Sequence, residues 1–213
     1  MADIWRLLMG ADKDRGEVPV ILFENSEAFE KWIAGRGSDD PGVWIKFAKK
    51  SAKTSSISKQ EAIDVALCHG WIDGQLDKLD ADHFLIRFTP RRSRSKWSKV
   101  NCTRAEELVL EGRMTQQGLA EIERAKADGR WDAAYEPASK AMVPDDLKEA
   151  LRQRPEAEVM FAKLDGHNRF AILYRIQDAK KPETRAARIV KYVDMLARGE
   201  TIHPASGKAR SRS

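Results

Sequence analysis

The chain has 213 residues, 42% of them hydrophobic and 33% charged, with a formal net charge of +5. That is enough apolar material for one large core or two small ones, which excludes a wholly disordered chain. The modest excess of Lys and Arg favours contact with anions but does not by itself imply nucleic acid.

The opening stretch, Met1 to Gly16, carries an acid at position 3 and no long apolar run, so it does not read as a secretory signal. The apolar run Val18 to Phe23 has six residues, against the roughly 20 of a spanning helix, so no membrane span is expected. Within it, residues 19–23 (PVILF) read as a buried strand. Residues 25–37 place Phe29, Trp32 and Ile33 at helical spacing, with Asn25 or Ser26 as N-cap. Residues 42–50 alternate Val43, Ile45 and Phe47 with Trp44 and Lys46, the pattern of a second strand. Residues 58–70 hold the clearest helix start. Ser58 and Glu61 form a capping box, Ala62, Val65, Ala66 and His69 share a face, and Gly70 ends the helix. Trp71 and Asp73 are expected in a tight turn after it, within the aspartate-rich stretch 69–82. Residues 83–89 alternate Phe84, Ile86 and Phe88 as a third strand.

After Pro90 the pattern turns helical. Residues 98–111 and 116–128 read as helices closed by Gly112 and Gly129, and 132–143 as a connection. Pro144 opens a helix with Asp145 and Asp146 in its first turn. Three more helices fill 155–199; Pro182 opens the last, whose buried face carries Ile189, Val193 and Leu196. The expected fold class is α+β: a small N-terminal sheet with helices, followed by an all-helical C-terminal half. The expected divisions are an α+β domain over 1–135, a helical module over 136–200 and a basic disordered tail over 201–213.

Charge is unevenly spread. From His83 to Ala105 there are seven Lys and Arg and no Asp or Glu. Within that span Arg91, Arg92, Ser95, Trp97, Ser98 and Asn101 offer guanidinium forks, hydroxyls and an aromatic face, a set that suits phosphate or carboxylate. The bland alternative is a solvated loop in which Trp97 simply packs. An Asp–Arg pair is expected here, Asp73 being the first candidate acid for Arg91 or Arg92. Trp71 and Asp73 on one side, and Arg130 and Trp131 on the other, are candidate walls of the same site. Lys180, Lys181, Arg185 and Arg188 surround a helix start and read as solvent-exposed cations pairing with Glu183 or Asp178. Cys68 and Cys102 make no CxxC pair and are expected as reduced thiols, as in the cytoplasm. No zinc or calcium spacing, dinucleotide fingerprint, P-loop or nucleophile elbow occurs, so no metal or cofactor is expected.

The segments ALCHGWIDGQ, RFTPRRSRSKWSKVN, EGRM, GLAEIERAKADGRWDAAY and AKKPETRAARI, in this order, resemble the YdeI/OmpD-associated, or bacteriocin-protection, proteins. The resemblance is read from about Trp44 to about Gly199. It implies a bacterial protein connected with an outer-membrane porin and with tolerance to bacteriocins. No reaction comes with it, so no catalytic residue is carried over.

Three functions follow, in order of preference. The first is a binding protein whose basic segment holds a phosphorylated small molecule or a nucleic-acid backbone. The second is an adaptor that docks a protein partner through its C-terminal helices. The third is a small enzyme with a cleft at Asp73 and Arg91, using Asp73 or His69 as general base.

Overall fold

A computed structural model describes residues 18–137 and 140–204. The expectations about the N-terminal stretch up to Arg15 and Gly16, and about the basic tail from residue 205, lie outside the described residues. The chain divides into two compact units, residues 1–134 and 135–213.

In the first unit the order is β1 (Val20–Ile21), α1 (Ser26–Ile33), β2 (Val43–Ala48), α2 (Lys59–Cys68), β3 (Trp71–Lys78), β4 (His83–Pro90), α3 (Lys99–Leu110) and α4 (Gln116–Ala127). The strands form one sheet in the order β1-β2-β4-β3, with β1 parallel to β2 and the other pairs antiparallel. Asn25 caps α1 by accepting the Ala28 N–H at 2.9 Å. The Ser58–Glu61 capping box of α2 is present in both directions. Val43, Ile45, Phe47, Ile86 and Phe88 on the sheet pack with Phe29 and Ile33 of α1 and with Ala62, Val65 and Ala66 of α2. Leu67 and Cys68, on the other side of α2, join Cys102, Ala105 and Leu108 of α3 and Ile122 and Ala125 of α4 in a second cluster. Helix α2 is therefore buried on two sides, which explains its run of small and apolar residues without a clean polar face.

Two expectations need correction. Trp71 and Asp73 do not sit in a turn but open β3, with Trp71 opposite Pro90 and Asp73 opposite Phe88. The turn comes later, where Asp80 Oδ1 accepts the N–H groups of Asp82 and His83 at 2.8 and 2.7 Å. The N-terminal strand is also shorter than the PVILF run, since only Val20 and Ile21 pair with β2.

The second unit contains α5 (Asp145–Arg152), α6 (Pro155–Lys163), α7 (Gly166–Gln177) and α8 (Pro182–Ala197). Its core gathers Leu147 and Leu151, Phe161, Ile172 and Ile176, and the expected α8 face of Ile189, Val193 and Leu196. Buried Asn168 is fully used: its side chain donates to Asp165 Oδ1 and His203 O and accepts from the His203 N–H. The fold is thus α+β with its sheet in the N-terminal half. No helix among the described residues is long and apolar enough to cross a membrane.

Candidate functional site

The basic segment begins where β4 ends. Arg91 N–H donates to Gly70 O at 3.0 Å, tying the segment to the end of α2. Arg91 then turns inward and is buried. Its guanidinium carbon stands 3.5 Å from the centre of the Trp97 ring, and its Nη1 donates to Lys96 O at 3.1 Å. A desolvated stack of this kind contributes about 2 kcal/mol. Between them the chain turns back on itself: Arg92 N–H donates to Ser95 Oγ, and Ser95 N–H to Arg92 O, both at 2.9 Å. Ser98 caps α3 by accepting the N–H of half-buried Asn101 at 3.2 Å.

Trp97 is buried and packs on half-buried Trp131, ring centres 4.8 Å apart. Its indole Nε1 has no hydrogen-bond partner. Arg130, just past the α4 C-terminus, donates through Nη1 to Ser95 O at 2.8 Å and through Nε to both oxygens of Asp128 at 2.8 Å. The candidates Arg91, Ser95, Trp97, Arg130 and Trp131 are therefore brought together.

One acid at this cluster is Glu121, which the sequence reading did not single out. Its placement follows from two glycines. Gly118, in the first turn of α4, lies so close to α2 that a Cβ there would stand 2.3 Å from Cys68 O. Thr115, the α4 N-cap, donates to the same carbonyl through Oγ1 at 2.7 Å. Gly70, with φ +72°, leaves the space that Glu121 Cγ fills; a Cβ on it would stand 2.9 Å away. Helix α4 is thus seated on the end of α2, and Glu121 is held over Gly70, beside the segment that follows β4. Its carboxylate is hydrogen-bonded to Arg124 one turn on. Burial pushes the Glu121 carboxyl above its usual range, and the charges of Arg124, Arg91 and Arg130 oppose that shift without overcoming it. Three guanidiniums from separate places in the chain thus act on one half-buried acid. A glycine inside a helical stretch, followed by Glu and Arg three apart (GLAEIER), was the available signal.

The remaining candidates are elsewhere. Trp71 is buried in the sheet-side core, edge-on to Trp32. Asp73 lies beside Lys59, Nζ to Oδ2 4.0 Å, so the expected Asp73–Arg91 pair is replaced by an exposed contact with another cation. His69 is buried at the end of α2 with Nε2 3.6 Å from Glu30 Oε1. Arg92 and Arg94 are exposed. Arg104, the last cation of the run, reaches Asp64 with two bonds of 3.0 and 2.7 Å and also binds Glu107 and Glu111. Arg87 donates to Pro41 O. The basic run is therefore divided: Arg87, Arg91 and Arg104 hold the fold together, and Arg92 and Arg94 face solvent. Cys68 and Cys102 are free and buried, and burial pushes both thiols up to about 11. No group of three or more His, Cys, Asp or Glu among the described residues could hold a metal.

In the second unit Arg188 lies 3.9 Å from Asp178, as the sequence reading expects, but Arg185 reaches Asp146 of α5 with bonds of 2.6 and 2.9 Å. That bond joins α5 to α8. A shallow groove of about 510 Å³ runs between α6 and α8, lined by Val159, Met160, Leu196 and Ala197 with Glu156 and Lys163 at its edge.

Two family models match the chain. Residues 140–199 match the family described as Bacteriocin-protection, YdeI or OmpD-Associated, so the resemblance read in the sequence is shown over the helical second unit. Residues 21–121 match a different model, Domain of unknown function (DUF8412). The GWIDG and FTPRR motifs fall under this second model, so the resemblance read from Trp44 to Gly199 divides between two families. No curated protein and no solved structure matches the chain.

Proposed function

We propose that the N-terminal unit binds a small oxyanion, a phosphate or carboxylate group, at the cluster of Arg91, Arg124 and Arg130, and that the chain serves cytoplasmic stress or envelope protection. The observation that carries the reading is the convergence of three guanidiniums on one acid that burial drives toward its neutral form. Guanidinium forks gathered in a sheltered place favour an anion with several acceptor oxygens. Arg124, 44% exposed, leaves the cluster open to solvent on its own side. The protective role draws on the family matched by the second unit, and the cytoplasmic setting on two thiols kept free in the interior.

The test is a titration with inorganic phosphate, followed by calorimetry and by tryptophan fluorescence, since Trp97 and Trp131 belong to the cluster. Sodium chloride at matched ionic strength is the control. Saturable binding that weakens about tenfold in Arg124→Ala is expected, the scale of one charge-assisted contact. Absence of saturation sinks the reading. A short DNA duplex separates the sources of phosphate. If the nucleic-acid backbone is the ligand, log affinity falls against log salt with a slope of roughly −0.9 per phosphate, and Arg92→Ala with Arg94→Ala flattens it.

A further inference from the structure

Helix α6 has two faces. Ala157 and Phe161 are buried in the core of the second unit. Glu156, Val159, Met160 and Lys163 line the groove instead, and at 3.6 residues per turn they share an arc of about 100°. Met160 is half-buried, Glu156 and Lys163 are exposed, and Val159 is 54% exposed. A valine exposed singly needs no explanation. This one stands at the rim of an apolar groove of about 510 Å³ whose other wall is Leu196 and Ala197 of α8. An apolar knob and an apolar groove are therefore offered side by side on one surface.

The order along this face is acid, apolar, apolar, base. Glu156 is in the first turn of α6 and Lys163 in the last, roughly 10.5 Å apart along the axis. Each charge suits the dipole at its own end of the helix, so the charges alone do not call for a partner. Their spacing about the apolar pair does. The midpoint of Glu156 and Lys163 is also the midpoint of Val159 and Met160. Take a two-fold axis through that point, with a second α6 antiparallel to the first. It sets Glu156 of one copy beside Lys163 of the other and Val159 beside Met160, each of them twice. A slide of one helical turn in either direction sets a charge against Val159 or Met160. A foreign helix would not require this symmetry.

We infer that the second unit pairs with a second copy of this chain through α6. Val159 of each protomer enters the groove of the other, and Glu156 and Lys163 bridge at both ends. This pairing concerns the second unit and does not depend on the anion-binding reading of the first. The contact is small, one nine-residue helix and the end of α8 on each side, so the dimer is weak and exchanges with monomer. The two ion pairs fix the register more than they add strength.

The experiment is sedimentation velocity on the full chain from about 5 to about 500 μM, the range in which small transient contacts associate. A sedimentation coefficient that rises with concentration toward that of a dimer is expected. Val159→Glu should remove the rise, because it drives a charge into the apolar groove. Glu156→Lys and Lys163→Glu should each weaken the dimer about tenfold, since symmetry turns two attractive pairs into two repulsive ones. The double reversal restores both pairs with their polarity exchanged and should return to within about threefold of the parent. Circular dichroism checks that each variant is folded. A chain that stays monomeric throughout leaves the groove to a different protein and overturns the inference. So does a dimer that Val159→Glu leaves intact, or a double reversal as weak as the single ones.

Cross-linking gives a second measurement should a charge variant unfold. The two native cysteines are buried, so Val159→Cys places an accessible thiol beside the two-fold axis. In mild oxidant it should form a disulfide-linked dimer about tenfold faster than Met142→Cys, through the raised effective concentration of its mate. Met142 is 86% exposed in the same unit but does not line the groove. Equal rates at the two positions overturn the inference.

Discussion

Replacing Arg104 by alanine tests how the positive charge of the basic run is used. Arg104 makes two hydrogen bonds to Asp64 and one each to Glu107 and Glu111. The Asp64 side chain is 11% exposed and that of Arg104 is 23%. An exposed ion pair contributes about 0–1 kcal/mol, whereas stripping a fully buried carboxylate of its partner costs about 3–5 kcal/mol. The pair lies between these limits. In the variant, Asp64 keeps the amide of Gln60 at 2.9 Å and the more distant Arg113 at 3.9 Å. Glu107 and Glu111, four apart at the C-terminal end of α3, are left to repel one another, adding a few tenths of a kcal/mol. The expected loss is about 2–3 kcal/mol, or roughly 10 °C in melting temperature for a unit of this size. All six tryptophans lie within the first 134 residues, so fluorescence-detected urea unfolding reports on this unit alone. Asp73→Asn is the contrast. Its cation, Lys59, is 51% exposed and 4.0 Å away, so that variant should unfold within about 0.5 kcal/mol of the parent. Arg104→Ala unfolding like the parent, or Asp73→Asn losing as much as Arg104→Ala, would refute this division between structural and solvent-facing charge.

Gly118→Ala should destabilise the first unit by about 2–4 kcal/mol in the same urea assay, because the new Cβ meets Cys68 O, a backbone atom, at 2.3 Å. Gly129→Ala, with φ +77° but open space around it, should lose only about 1 kcal/mol. Acid stability should depend on Asp64. Burial raises its pKa, but the bonds from Arg104 and Gln60 outweigh burial and hold it below the usual range. Its contribution is therefore complete above the unfolded-state value near 4 and is lost as pH falls through the lower folded-state value. Removing Arg104 should bring acid unfolding of this unit to a higher pH, and an unchanged acid midpoint would contradict the assignment.

What the sequence made legible was local. The α2 capping box needs only Ser58 and Glu61, and the glycine stops at Gly112 and Gly129 need only their own backbone, with φ +69° and +77°. Strand β3 escaped because it is an edge strand. Its pairing shifts register between Asp73 and Leu76, and Gln75 and Leu76 face solvent, so the alternation that reveals a half-buried strand is broken. The inward turn of Arg91 was legible in the basic run, but its surroundings were not. Glu121, near it, belongs to a helix that reaches the site only because Gly118 and Gly70 let two backbones approach. No local pattern reports such a long-range fit.

That fit also bears on why guanidiniums are found there at all. Holding the segment after β4 against α4 does not require charge, since apolar side chains of similar volume in place of a buried ion pair are often as stabilising or more so. The Trp97–Trp131 contact already supplies an apolar anchor, with Leu67, Leu108 and Ile122 in the same cluster. Arg91 adds a buried cation to that anchor, with Arg124 and Arg130 beside it. Glu121, on which all three act, is shifted toward its neutral form by burial. Elsewhere in the unit Arg104 is matched by Asp64, Glu107 and Glu111. Within one unit, then, the arginine on α3 is bound by three acids, while the cluster at the end of α2 sets a half-buried acid among guanidiniums, with Arg124 open to solvent. Under the proposed function, that open side is where an anion would enter.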